Sequence, residues 1–368
     1  MSAPVFKSLV DQESAINQLE KALSGDGTRN NMTHAWLFTG PPGSGRSIVA
    51  LAFAAALVCK QSGCGDCFDC KAALSGSHQD VEIMKVENLN IKVDEIREIV
   101  SRSNWATSTS SWRVVVVEDS DRMTDSAANA FLKSLEEPGA STVWLLSAPS
   151  TEDIPPTILS RCRHIQLKNP RVEQVSDFLV SMFGTDKEKA NWAAKLSQGH
   201  IGKARALIKD QKFLNHRKET FTLLLDTKSE AKAISAAARI QQIAEEKVAT
   251  ILNELDSTGS LVNSSAKASK EIERERKSRF ARAIKDELDG YLLDYISFFR
   301  DCLTTPTYWV NEDLSEQIEY FQSKVGQEGV SWLLSLLVDC RKKLATNASI
   351  SLIFESFFLG VFESTVGH

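Results

Sequence analysis

Ala35-Trp36-Leu37-Phe38-Thr39-Gly40-Pro41-Pro42-Gly43-Ser44-Gly45-Arg46-Ser47 places a short apolar run, a glycine-rich loop and the opening of an apolar helical stretch in direct succession. The loop matches the phosphate-binding pattern G-x-x-x-x-G-K-[ST] at every defined position but one, and in the strand-loop-helix context the pattern requires. Gly40, Gly43, Ser44 and Gly45 let backbone N–H groups turn inward around a polyphosphate, and the following helix N-terminus adds partial positive charge. Ser47 would bring its hydroxyl to Mg²⁺. Arg46 stands where lysine should reach the β and γ phosphates, and its planar fork is longer and bulkier than an ammonium. The loop therefore suits ATP or ADP with Mg²⁺, with fast hydrolysis not expected; a retained loop that stays empty fits the same residues.

Outward from this loop, further apolar runs bounded by turns predict strands at Val81 to Lys85, Arg113 to Val117, Thr142 to Ser147 and His164 to Leu167. Helical periodicity fills the gaps at Ser47 to Lys60, Val93 to Ser103 and Ser126 to Glu136. Alternating βα units predict a parallel sheet, and Val114 to Val117, apolar at every position, reads as a strand covered on both faces. That strand runs into Glu118-Asp119-Ser120-Asp121. Carboxylates at a strand end beside a phosphate loop are where a Mg²⁺-organising group and a water-activating base are needed. Here Glu118 takes the metal position and Asp119 the base position, the reverse of the usual Asp-Glu order. Each carboxylate is displaced by about one methylene, in chemistry that tolerates about half an ångström, so weak turnover is expected. The alternative is that these acids end a strand and cap the next helix.

Cys59, Cys64, Cys67 and Cys70 fall within 12 residues, in a Gly-containing loop just after the phosphate-loop helix. Four thiolates at such spacings can close a tetrahedron around Zn²⁺, leaving no open position, so the site would be structural. Cys59 could instead be a core thiol, with His78 completing the set. Cys162, Cys302 and Cys340 read as ordinary buried cysteines. The longest strongly apolar run, Ile48 to Val58, has 11 residues, against the roughly 20 a membrane span takes. The N-terminus lacks the pattern of a secretory signal, so a cytoplasmic protein without a membrane span is expected.

After Pro170 the strand signal stops. Arg171 to Lys209 reads as about three short helices broken at Gly184 and at Gly199 to Gly202, and longer helices follow from Lys212, interrupted at Ser257 to Ser265 and Thr304 to Asn311. The whole chain of 368 residues carries a net charge of -5, so no global positive field advertises nucleic acid. Lys267 to Asp289 has eight basic and six acidic residues interspersed, which reads as a solvated helix face. The expected order is α/β followed by all-α: residues 1–170, 171–211 and 212–368.

Pro155-Pro156-Thr157-Ile158-Leu159-Ser160-Arg161-Cys162 ends a short helix before the last strand, and spacing alone makes Arg161 a surface arginine. Together with His34 to Gly40, the four-cysteine insert, and Ala127-Ala128-Asn129-Ala130-Phe131-Leu132-Lys133-Ser134-Leu135-Glu136-Glu137-Pro138, the Ser160-Arg161-Cys162 element resembles the AAA+ clamp-loader subunits of bacterial DNA polymerase III. The resemblance covers about residues 5 to 210 and is to the δ′ type rather than the motor type γ/τ, which keeps the lysine and the Asp-Glu pair. Gly199-His200-Ile201-Gly202 takes the place of the motor's Gly-Ser-x-Arg, with Gly202 where the sensing arginine stands and Arg205 nearby. The resemblance implies an AAA+ RecA-like sheet domain with a zinc module at about 59–70, a three-helix lid and a helical collar joining five subunits in a ring. It implies Zn²⁺ on Cys59, Cys64, Cys67 and Cys70, and an arginine finger at Arg161 serving a neighbouring γ/τ ATP site. The partners implied are γ/τ and δ subunits, with the β clamp and primed DNA met indirectly. The rival expectations are an active γ/τ-like motor ATPase and a RuvB-like DNA translocase, which would need a DNA-binding module that the charge-balanced C-terminal segment does not show.

Overall fold

The computed structural model describes residues 3–24, 32–84, 90–258, 266–344, 346 and 348–366, with side chains of 253–275 outside the description. The chain forms two compact units, Met1–Ile208 and Lys209–His368.

In the first unit, five strands form an all-parallel sheet: β1 (Ala35–Thr39), β2 (Val81–Met84), β3 (Arg113–Val117), β4 (Thr142–Ala148) and β5 (Arg163–Gln166), in the order β2-β3-β4-β1-β5. Helices α1 (Glu13–Leu23), α2 (Arg46–Val58), α3 (Phe68–Leu74), α4 (Val93–Ser103), α5 (Asp125–Glu136) and α6 (Pro156–Leu159) accompany it, and α7 (Val172–Phe183), α8 (Lys187–Ser197) and α9 (Ile201–Lys209) follow. The α/β reading holds, with ends moved by a residue or two: α2 begins at Arg46, and β5 begins at Arg163 rather than His164. Lys85, read as the end of the second strand, lies outside the described residues, as does most of the interruption read at Ser257 to Ser265.

Period-two alternation divides the sheet residues between two cores, which is why β3 is apolar throughout. Trp36, Phe38, Val114 and Val116 pack with Val49 and Phe53 of α2, while Leu37, Val115, Val117 and Trp144 pack with Ile96, Ile99 and Phe131. Edge-to-face rings lock each layer, Trp36 on Phe53 at 5.0 Å and Phe131 on Trp144 at 4.7 Å.

One buried carboxylate pins the loop before β3. Asp80 accepts the N–H groups of Ser108, Thr109 and Ser110 at 2.7–2.9 Å and is fully buried. Burial alone would raise its pKa, but these donors outweigh it and bring the carboxyl down to about 2. Unfolded, the group titrates near 3.9, so its contribution of about 2 kcal/mol is complete above that value and is lost as pH falls through about 2. Asp80→Asn is expected to lower the urea-unfolding free energy by about 2 kcal/mol at pH 7, with the difference from wild type closing at pH 2. A variant of wild-type stability at pH 7 would show the carboxylate to be dispensable.

The second unit is helical: α10 (Gln211–Leu225), α11 (Glu230–Thr258), α12 (Ala266–Asp301), α13 (Ser315–Leu344), kinked at Gly326, and α14 (Ile350–Val366). Its core centres on the fully buried Tyr295, whose ring meets Phe221 at 5.6 Å and stacks on Phe357 at 5.4 Å. The Tyr295 hydroxyl donates to the Thr220 carbonyl at 2.7 Å, so the polar tip of that ring is satisfied in an apolar setting. The charged segment 267–289 lies within the single helix α12, and of its described residues Ile284 and Leu288 are buried.

Candidate phosphate loop, cysteine cluster and surface arginine

The phosphate loop leaves β1 at its C-terminal end, between β4 and β5, the side of a parallel sheet where ligands bind. Gly43 and Gly45 take φ of 87° and 90°, left-handed values that glycine adopts without strain, and Gly45 caps α2. The Gly40 N–H donates to the Pro149 carbonyl after β4. A Cβ at Gly40 would lie 2.8 Å from the Leu167 carbonyl oxygen, so the loop is held against both flanking strands.

The mouth of the loop is covered from the helices after the sheet. The His200 ring lies on Gly43, where an added Cβ would sit 2.5 Å from its Cγ. Burial lowers the His200 pKa, assisted by the charge of Lys203, so the ring stays neutral near pH 7. In the same loop and the turn after it, Ser44 Oγ and Arg46 Nη1 are buried with no hydrogen-bond partner among the described residues. Such groups need a partner, and an anion fits both, so the residues present are compatible with a phosphate although their loop is covered. Gln12, which the sequence did not single out, links the loop to the exit of the sheet: its amide donates to the Lys168 carbonyl at 2.6 Å and the Ser44 carbonyl at 3.4 Å.

Asp119 has φ of 47°, its N–H donates to Ser147 Oγ at 3.3 Å, and its carboxylate lies 3.8 Å from Arg122. Asp121, quoted in the acidic run but given no role there, is the carboxylate that feels the charge of Arg46. Its pKa is raised by burial and by Asp119, and Arg122 and Arg46 draw it back only in part. Gly202 lies in the first turn of α9, and the Arg205 guanidinium lies 5.6 Å over the Phe183 ring. Glu118 follows β3, the loop glycines lie between β1 and α2, and Ser47 lies in the first turn of α2.

Cys59, Cys64, Cys67 and Cys70 come together with all four sulfurs within 4.8 Å of one another. Four ligands at a Zn–S distance of about 2.3 Å stand about 3.8 Å apart, and Cys59 Sγ lies 3.7 Å from both Cys64 Sγ and Cys67 Sγ. The cluster can therefore hold a tetrahedral metal ion. Burial would raise the Cys59 thiol, but N–H groups of Cys64, Gly63 and Gln61 outweigh it and bring the pKa to about 6. The segment is more ordered than the loop the sequence suggested, because Cys67 caps α3 by accepting the Cys70 N–H at 3.3 Å. His78 stays out of the group, with its Nε2 3.5 Å from Asp69 and its Nδ1 accepting the Asp80 N–H. Cys302 and Cys340 are buried as expected, and Cys162 is half-buried.

Arg161 follows α6 on the surface of the unit, its side chain 35% exposed. Nη1 donates to the Thr157 carbonyl at 2.9 Å and to Ser160 Oγ at 3.2 Å, and Nη2 to Glu136 at 2.5 Å.

Compared with known proteins, residues 11–171 match the family model described as "DNA polymerase III, delta subunit". DNA polymerase III subunit delta′ of Pseudomonas aeruginosa is 37% identical over 142 residues, 37% of this chain and 43% of that protein. DNA polymerase III subunit tau of Bacillus subtilis is 34% identical over 168 residues, 44% of this chain and 29% of that protein. The chain thus spans less than half the length of either relative. A DNA polymerase III gamma-subunit-related protein of Thermotoga maritima aligns over 96% of this chain at 16% identity with a TM-score of 0.45. Residues 11–171 are therefore similar to DNA polymerase III delta-type subunits, and the relatives matched over this part include delta′ and tau subunits.

Proposed function

We propose that the chain is a clamp-loader subunit of the replicative DNA polymerase III holoenzyme, helping to place the β sliding clamp on primed DNA. In this reading Arg161 acts in trans at a neighbouring γ/τ ATP site, while the chain's own loop hydrolyses ATP weakly or not at all. Residues 1–170 are the AAA+ domain, 171–211 a lid, and 212–368 a collar that joins γ/τ and δ subunits in a five-membered cytoplasmic ring. A Zn²⁺ ion on the four cysteines is structural.

The observation that carries this reading is the contrast between two cations. The Arg161 guanidinium is partly exposed on the outside of its unit with its nitrogens hydrogen-bonded, whereas the half-buried Arg46 keeps its Nη1 buried and unpartnered among the described residues, in a loop on which His200 lies. Glu118 and Asp119 in reversed order, and Gly202 in place of an arginine, add to the support. No helix among the described residues is long and apolar enough to cross a membrane, which agrees with a soluble replication factor.

Reconstitution tests it. Mixed with γ/τ and δ proteins, the chain should co-elute as one assembly, and clamp loading on primed DNA should require it; alone it should turn over ATP far more slowly than the assembly. A chain that joins no such assembly, or that hydrolyses ATP by itself as fast as the assembly does, would overturn the proposal.

A further inference from the structure

Arg161 is tied down rather than extended. Both of its terminal nitrogens are engaged: Nη1 with the Thr157 carbonyl and Ser160 Oγ, and Nη2 with the Glu136 carboxylate. Glu136 is the last residue of α5, where that helix presents negative charge, and the Thr157 carbonyl of the short turn α6 supplies a further acceptor. A phosphate recognised by arginine is met by the same two donors, of which Nη2 now faces Glu136 and Nη1 faces Thr157 and Ser160.

We propose that Glu136 is a positioning residue that latches Arg161 against its own subunit until a neighbour's triphosphate competes for the guanidinium; the inference rests on the trans-finger reading above. Exposure makes the latch weak. The two side chains are 35% and 50% exposed, and solvent-exposed pairs of this kind shift an equilibrium by about two- to fivefold. A latch of that size biases the arginine without trapping it, and exchanging a carboxylate for a phosphate keeps a charge-assisted bond throughout.

The test is a reconstituted loader carrying Glu136→Ala, Glu136→Gln, Arg161→Ala or the Glu136→Ala/Arg161→Ala pair, assayed for ATP hydrolysis with and without primed DNA. Glu136→Ala is expected to raise the DNA-free kcat about two- to fivefold with KM for ATP unchanged, Glu136→Gln to give a smaller rise, and the double variant to match Arg161→Ala alone. A half-exposed residue at a helix end tolerates this change, and an unchanged thermal midpoint would exclude a folding effect. A DNA-free rate that Glu136→Ala leaves at wild type, or a rise that persists without Arg161, overturns the latch while a normal Arg161→Ala loss leaves the finger standing. Hydrolysis unaffected by Arg161→Ala overturns both, through the finger itself.

Discussion

A loader rebuilt with Arg161→Ala should assemble normally yet lose DNA-stimulated ATP hydrolysis at the site facing this subunit, by about 10³-fold or more. The magnitude follows from what an arginine finger supplies: a fixed charge on the equatorial oxygens of the transferring phosphoryl group, worth about 10³ to 10⁵ in rate. The variant should not lose its fold. Its ion pair to Glu136 is half-exposed and contributes at most about 1 kcal/mol. Arg161→Lys should recover only part of the loss, because an ammonium keeps the charge without the planar fork. Single-turnover hydrolysis in the assembled ring measures the effect, and a rate at wild-type level would make Arg161 an ordinary surface residue.

Replacing Cys67 and Cys70 by serine should remove the metal and loosen the module around it. Metal analysis should find about one zinc per wild-type chain and none in the variant, since four thiolates make one closed site. Cys70 is fully buried and Cys59 ends α2, so the cluster ties the end of that helix to α3. Zinc bound by peptides of this kind supplies about 10 to 16 kcal/mol of apparent free energy. Most of the present domain has its own core, so a smaller share should appear, lowering Tm by roughly 10 °C. Chelator should lower the wild-type midpoint and leave the variant's where it is. A metal-free wild-type protein of full stability would end the zinc assignment.

The strands were legible because their signal is local. Four consecutive valines, Val114 to Val117, bury both faces as an interior parallel strand, and that is where β3 lies. The helices after the sheet were readable for a similar reason, since Gly184 ends α7 in the left-handed conformation that glycine favours. What escaped was set by distant partners. Gln12 meets Lys168 across 156 residues, and Asp80 meets Ser108 across 28, with no periodicity to announce either contact. Helix α3 was hidden because glycines and cysteines read as loop, whereas a cysteine cap organises it. His200 was noticed only as a departure from a pattern, and its place on Gly43 depends on how α9 follows the sheet. Asp121 stood third behind two better-placed acids, and only the turn at Asp119 separates their environments.

The most direct measurement sets two single variants of this chain side by side in the reconstituted loader, Arg46→Ala and Arg161→Ala, and records DNA-stimulated ATP hydrolysis for each. A subunit whose own loop is idle while its surface arginine serves a neighbour should give the wild-type rate with Arg46→Ala and a collapsed rate with Arg161→Ala. A collapse with Arg46→Ala and a wild-type rate with Arg161→Ala would contradict it, and would make the chain a motor in its own right.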